Sequence, residues 1–158
     1  MFKSINGGIL PSRGSKYSAC VDLYANKTMI IAQAQTTLIP LGVCIDVEKL
    51  KENFNINKYY FDQIGISNYE LFLKTHYLQL MLRSSLSKQL IIANGVGVID
   101  LDYTDEIMIR IHNPANMPAK HINKGDRVAQ IAMLQHLGFM FNIHSHKQRT
   151  GGFGSTGE

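Results

Sequence analysis

The sequence predicts an all-β domain, a barrel or sandwich of short strands, and three observations carry that expectation. Apolar residues recur at every second position in several runs. Gly, Pro and Asn interrupt the chain at close intervals between those runs. At 158 residues, 45% of them hydrophobic and 18% charged, the chain has the length and apolar content of one packed core. Residues 1–158 therefore read as a single domain, with no linker and no internal repeat.

In chain order, Val43, Ile45 and Val47 alternate with Cys44 and Asp46, and Leu78, Leu80 and Leu82 alternate with Tyr77, Gln79 and Met81. Over 106–113, Ile107, Ile109 and Ile111 face one way while Met108, Arg110 and His112 face the other. Turns are expected at Pro40, Asn94-Gly95, Asn113-Pro114 and Lys124-Gly125-Asp126. Residues 48–76 break the pattern. They hold six of the fourteen aromatics (Phe54, Tyr59, Tyr60, Phe61, Tyr69, Phe72) among four Asn. The segment reads as an inserted excursion, a short helix from Glu48 followed by a hairpin, packed on the barrel or on a neighbouring chain. The final RTGGFGSTGE has four Gly in its last eight residues, a composition that is costly to order, with Phe153 isolated among them.

Sixteen Lys+Arg against twelve Asp+Glu leave a net charge of +4. That suits an anionic small molecule and falls short of the basic stripe a nucleic acid needs, so no nucleic-acid partner is expected. No apolar run reaches the ~18–20 residues of a membrane helix, so no membrane partner is expected either. The first twenty residues, broken by Gly and Pro, lack a signal-peptide core. Cys20 and Cys44 have no CxxC spacing and read as buried free thiols of a reducing compartment. A cytoplasmic location follows as the expectation.

No common nucleotide or hydrolase fingerprint is present. There is no GxxxxGK[ST], and Gly95-Val96-Gly97 runs into Val98-Ile99-Asp100, which is not GxGxxG. GxSxG and HExxH are absent. His144 and His146 read as surface histidines, since no third metal ligand has an obvious place. Two polar groups remain. Asp100 and Asp102 flank Leu101 after an apolar run; one carboxylate aimed at a water is a general base worth ~10²–10⁴ in rate, and a turn-forming Asp pair is the plainer alternative. Arg83-Ser84-Ser85 follows a strand; a Ser at a helix N-cap beside an Arg is either a phosphate cradle or an ordinary cap.

Taken together and in order, these segments resemble the five motifs of the homotrimeric dUTPase family. They are Ser18-Ala19-Cys20-Val21-Asp22-Leu23-Tyr24, then Arg83-Ser84-Ser85-Leu86, then the run from Asn94 to Tyr103. Lys124-Gly125-Asp126-Arg127-Val128-Ala129-Gln130 and Gly151-Gly152-Phe153-Gly154-Ser155-Thr156-Gly157 complete the set. The third and fifth are specific singly; the order of all five is specific as a whole.

The resemblance implies a distorted jelly-roll β-barrel, a homotrimer about a three-fold axis, and a Gly-rich C-terminal lid over 147–158. It implies hydrolysis of dUTP to dUMP and pyrophosphate by water attack on the α-phosphorus, assisted by Mg²⁺ carried on the triphosphate. By the same resemblance, Asp100 binds the 3′-OH and orients the water, and Tyr103 stacks under the sugar and excludes a 2′-OH. Asn94, Gly97 and Ile99 read uracil, with Met108 packing nearby. Arg83, Ser84, Ser85 and Gln130 hold phosphates, and Asp22 lies near the metal shell through water. Arg149 meets the γ-phosphate, and Phe153, Gly154 and Ser155 close over the nucleotide. Motif three comes from one chain, motifs one, two and four mostly from one or two others, and the tail from the remaining one.

Three positions depart from the family pattern. Asp105 stands where a turn Gly is usual, and the hairpin is expected to survive at a small cost. Arg149 is two residues before Gly151 rather than three, which makes Lys147 a second candidate for the γ-phosphate. The stretch from Asp46 to Arg83 is about twenty residues longer than usual, and the aromatic-rich excursion fills the gap. Two alternatives stand beside the hydrolase: a partner-binding protein that uses 48–76 on the same scaffold, and the related dCTP deaminase branch.

Overall fold

The computed structural model describes residues 1–143. Strands predominate among them. They are β1 (Phe2–Ser4), β2 (Ser12–Arg13), β3 (Val21–Tyr24), β4 (Met29–Ile31), β5 (Thr36–Pro40) and β6 (Val43–Ile45). After a helical interlude come β7 (His76–Leu82), β8 (Ile91–Ile92), β9 (Gly97–Asp100), β10 (Met108–His112), β11 (Lys120–Ile122) and β12 (Arg127–Gln135). They form four antiparallel sheets, and the largest runs in the order β2-β3-β12-β7-β9. The others are β5-β10-β8, β11-β4 and β1-β6.

The alternation places the core. Ile107, Ile109 and Ile111 are buried, while Met108, Arg110 and His112 are half-buried on the other side of the strand. Leu78 and Leu80 are buried against Leu23, Ile31, Ile39 and Leu41. Each such side chain contributes roughly 1.5–3 kcal/mol by leaving water. Val47 departs from expectation: β6 stops at Ile45, and Val47 is an exposed first residue of a helix. Both cysteines are free; Cys44 is buried, which pushes its thiol above its ordinary pKa, whereas Cys20 stands just before β3 and is only half-buried, contrary to expectation.

The helix expected from Glu48 is present, and two further helices stand where the hairpin was expected. The elements of the excursion are α1 (Val47–Ile56), α2 (Lys58–Gln63) and α3 (Tyr69–Thr75). Asp46 caps α1, accepting from the Lys49 N–H at 3.0 Å, and Asn68 caps α3, accepting from the Leu71 N–H at 2.8 Å. Tyr59 and Tyr60 stay exposed, while one aromatic from each helix meets the others between them: Phe54–Phe61 centroids are 5.0 Å apart, Phe61–Phe72 5.1 Å and Phe72–His76 4.8 Å. These rings fill a closed cluster continuous with the barrel core. Burial lowers the pKa of His76. The Thr75 carbonyl accepts the His136 N–H at 2.7 Å, which ties α3 to the end of β12, and α3 also packs on the 3₁₀ turn Gly138–Phe141. No helix among the described residues is long and apolar enough to cross a membrane.

Candidate functional site

A cavity of about 140 Å³ opens between β9 and β10. Its edge is set by pairing: Asp100 lies opposite Tyr77 and Gly97 opposite Leu80. A Cβ on Gly97 would sit 2.9 Å from the Leu80 Cβ, so only glycine lets the two strands close at that point. The preceding turn needs Gly95 at φ 75° and is closed by the Val96 N–H donating to the Asn94 carbonyl at 2.9 Å. Beyond Asp100, the Tyr103 N–H donates to the Asp100 carbonyl at 3.0 Å, and this turn folds the Tyr103 ring back into the cavity wall. The ring is buried and its hydroxyl donates to the Glu106 carbonyl at 3.1 Å. Burial first, then Asp105 and Glu106, raises the phenol pKa and keeps it a neutral donor. Asp105 does not take a left-handed conformation, so the expected cost of replacing glycine there does not arise.

Six of the residues singled out in the sequence share this one wall: Asn94, Gly97, Ile99, Asp100, Tyr103 and Met108. Asp100 stands at the exposed rim. Leu80, Ile92 and Arg110 also line it and were not anticipated. The β7–β9 and β8–β10 pairings bring them in, and no local motif marks them.

A second group gathers at the other end of β7. Asp22 is buried, and its two carboxylate oxygens accept from Arg83 Nη1 and from Arg127 Nη1, the latter at 3.2 Å. Gln130 lies opposite Asp22 on β3 and opposite Met81 on β7. Ser84 and Ser85 do not begin a helix. They sit in consecutive turns in which the Leu86 and Ser87 N–H groups donate to the Arg83 carbonyl at 3.0 and 3.1 Å. The expected cap is thus replaced by a tight turn. A cavity of about 260 Å³ runs along this turn, past β11 and the start of β12.

No cluster of three His, Cys, Asp or Glu side chains poised to hold a metal exists among the described residues. With Asp22 engaged by two guanidinium groups, the donor set fits a divalent ion held by substrate oxygens and water rather than by a protein cage.

The chain does not bring its two groups together. Tyr77, beside Asp100, and Arg83 are six residues apart along an extended strand, about 20 Å. Arg149, Phe153, Gly154, Ser155, Lys147, His144 and His146 lie outside the described residues.

The fold is mainly β and carries two separate cavities, one lined largely by apolar groups beside Asp100 and one lined by Arg83, Lys120 and Arg127. The family model described as dUTPase matches residues 69–157, more than half of the chain. The deoxyuridine 5'-triphosphate nucleotidohydrolase of Candida glabrata is 27% identical over 156 residues, covering 96% of this chain and 90% of its own length. The crystal structure of the Streptococcus mutans dUTPase superimposes with a TM-score of 0.61 at 23% identity, over 86% of this chain and 95% of that one. A mutant dUTPase of phage phi11 of S. aureus, solved to show the coordination of a structural Mg(II) ion, gives a TM-score of 0.64 at 16% identity over 97% of each chain. The chain belongs to the dUTPase family.

Proposed function

We propose that the protein hydrolyses dUTP to dUMP and pyrophosphate. The observation that carries this reading is the shared wall: Asn94, Gly97, Ile99, Asp100, Tyr103 and Met108 surround one cavity. Those are the residues the family resemblance assigns to uracil and deoxyribose. In the proposed reaction, uracil enters between the 94–97 turn and Met108, and Tyr103 fills the space a 2′-OH would need. Asp100 takes a proton from a water whose oxygen attacks the α-phosphorus. The bond from that phosphorus to the bridging oxygen of the β-phosphate breaks, and pyrophosphate leaves with the electron pair.

Arg83, Ser84, Ser85 and Gln130 receive the phosphates. Asp22 acts by fixing Arg83 and Arg127, and any contact it makes with the metal shell runs through water. Mg²⁺, when bound to the triphosphate, neutralises phosphate charge. The separation of about 20 Å between Asp100 and Arg83 supports a site completed by a second copy, as in a homotrimer whose third chain supplies the 147–158 lid. We read 1–158 as one such domain, acting on the free nucleotide pool of the cytoplasm, where the reaction keeps uracil out of DNA and supplies dUMP for dTMP synthesis.

The test is pyrophosphate release from dUTP, with dCTP, dTTP and UTP in parallel, with and without Mg²⁺. Metal-dependent turnover of dUTP alone is expected. Turnover of dCTP with ammonia release would transfer the chain to the deaminase branch, and inertness towards all four would end the hydrolase reading.

A second reading has its own observation. Ile56 and Tyr59 on the excursion are 72% and 79% exposed, an apolar surface the barrel does not use. Under the partner-binding reading, replacing Tyr59 and Tyr60 by Ser leaves dUTP turnover intact and abolishes association with the partner.

A further inference from the structure

The cavity beside the 83–86 turn contains a cation to which the reaction above gives no task. Its polar lining is Arg83, Ser85, Lys120, His121, Asp126 and Arg127, and its floor is apolar, formed by Leu86, Ile122 and Val128. Arg83 and Arg127 converge on the buried carboxylate of Asp22, so the three groups together carry a single positive charge. The Asp126 carboxylate accepts the Asn123 N–H at 2.8 Å and closes its own turn.

Lys120 differs from all of these. It is half-buried and has no carboxylate partner among the described residues. By strand alternation it shares the side of β11 that carries buried Ile122, part of the cavity floor, whereas His121 is exposed at the edge of the same cavity. An ammonium held in a recess beside a guanidinium–carboxylate cluster of net charge +1 is repelled by it unless an anion enters. The apolar floor strengthens that repulsion and equally strengthens the attraction for an anion. What fits is compact and multiply charged, with no ring: the end of a polyphosphate chain.

We propose that Lys120 binds the terminal phosphate of the substrate and the pyrophosphate product, with His121 at the mouth of the same recess. This inference rests on the hydrolase reading for the identity of its ligand and on the cavity alone for its location. Within it, motif two grips the inner phosphates while Lys120, on a strand outside the five motifs, fixes the outer one. That gives the chain a γ-phosphate cation within the barrel, independent of Arg149 and Lys147.

The experiment is calorimetric titration of the intact protein with inorganic pyrophosphate and, separately, with dUMP. Lys120→Met keeps the length of the side chain and removes its charge. It is expected to weaken pyrophosphate about tenfold, the scale of one charge-assisted contact, and to leave dUMP affinity within about twofold of wild type. Lys120→Gln should repeat the loss and Lys120→Arg should restore most of the affinity. Equal pyrophosphate affinity in wild type and Lys120→Met overturns the assignment, and so does a parallel loss of dUMP, which would mark Lys120 as structural. A wild-type protein that binds pyrophosphate through Lys120 yet leaves dUTP intact would sink the hydrolase reading and keep the recess.

Discussion

The cavity wall and the helical excursion are both rich in apolar residues and do opposite things with them. In the wall, a glycine with no side chain, a turn that exposes backbone groups and one folded-back tyrosine leave a space open to a ligand. In the excursion, Phe54, Phe61, Phe72 and His76 pack with centroids 4.8 to 5.1 Å apart and leave none. The contrast separates two uses of aromatic residues. A ring held by a hydroxyl tether, as Tyr103 is, shapes a recess; rings that meet between neighbouring helices close one.

If that division is right, substitutions in the two regions should fail in different assays. Asp100→Asn should lower kcat for dUTP by about 10² to 10⁴, the usual worth of a general base, with the melting temperature unchanged because the side chain sits at an exposed rim. Retention of kcat would remove Asp100 from the chemistry. Phe72→Ala should do the reverse. Phe72 is fully buried, and its truncation should cost about 3–5 kcal/mol in a urea melt while the molecules that remain folded keep their KM. A KM that rose in step would show the excursion to be part of the site.

Gly97→Ala tests the boundary between the two behaviours. Its new methyl meets Leu80 at 2.9 Å, so an overpacking cost of about 1–3 kcal/mol is expected, felt as a raised KM for dUTP more than as lost stability.

The smallest effect is the pH response of the excursion. Burial lowers the His76 pKa in the folded chain, so between the ordinary value of 6.5 and that lower value the unfolded chain carries the extra proton. Stability is therefore complete above about pH 6.5 and declines as the pH falls below it. Tm measured from pH 7.5 to 5.5 should drop less steeply in His76→Phe than in wild type, and an identical slope would relieve His76 of this role.

Much of the barrel could be read from the chain because period-two patterning is a local property. The Ile107, Ile109, Ile111 series declares its buried face without reference to any other strand. In the excursion the helix expected from Glu48 is present as α1, and only the hairpin expected after it gives way to α2 and α3, for a related reason. The aromatics there signal burial in either secondary structure, and the deciding marks were smaller: Asp46 and Asn68 as caps, and the three-to-four spacing of Tyr69, Phe72 and His76. Within the site, the residues of motif three are neighbours in sequence and were all in view. The Asp22, Arg83 and Arg127 network was not, because its members meet only through the register of β3, β12 and β7. Lys120 and His121 carried no motif at all, and only the pairing of β11 with β4 sets them beside the 83–86 turn.

The two ends of β7 also have a genetic consequence. Since Asp100 and Arg83 are held about 20 Å apart on one chain, an allele lacking the aspartate and an allele lacking the arginine damage different halves of any shared centre. If, as proposed, a second copy completes the site, each alone would be inactive, yet a cell expressing both would assemble mixed oligomers in which about one site in four pairs two intact halves. Two recessive losses at this locus would then rescue one another, and a gene whose product worked as a lone chain would show no such rescue.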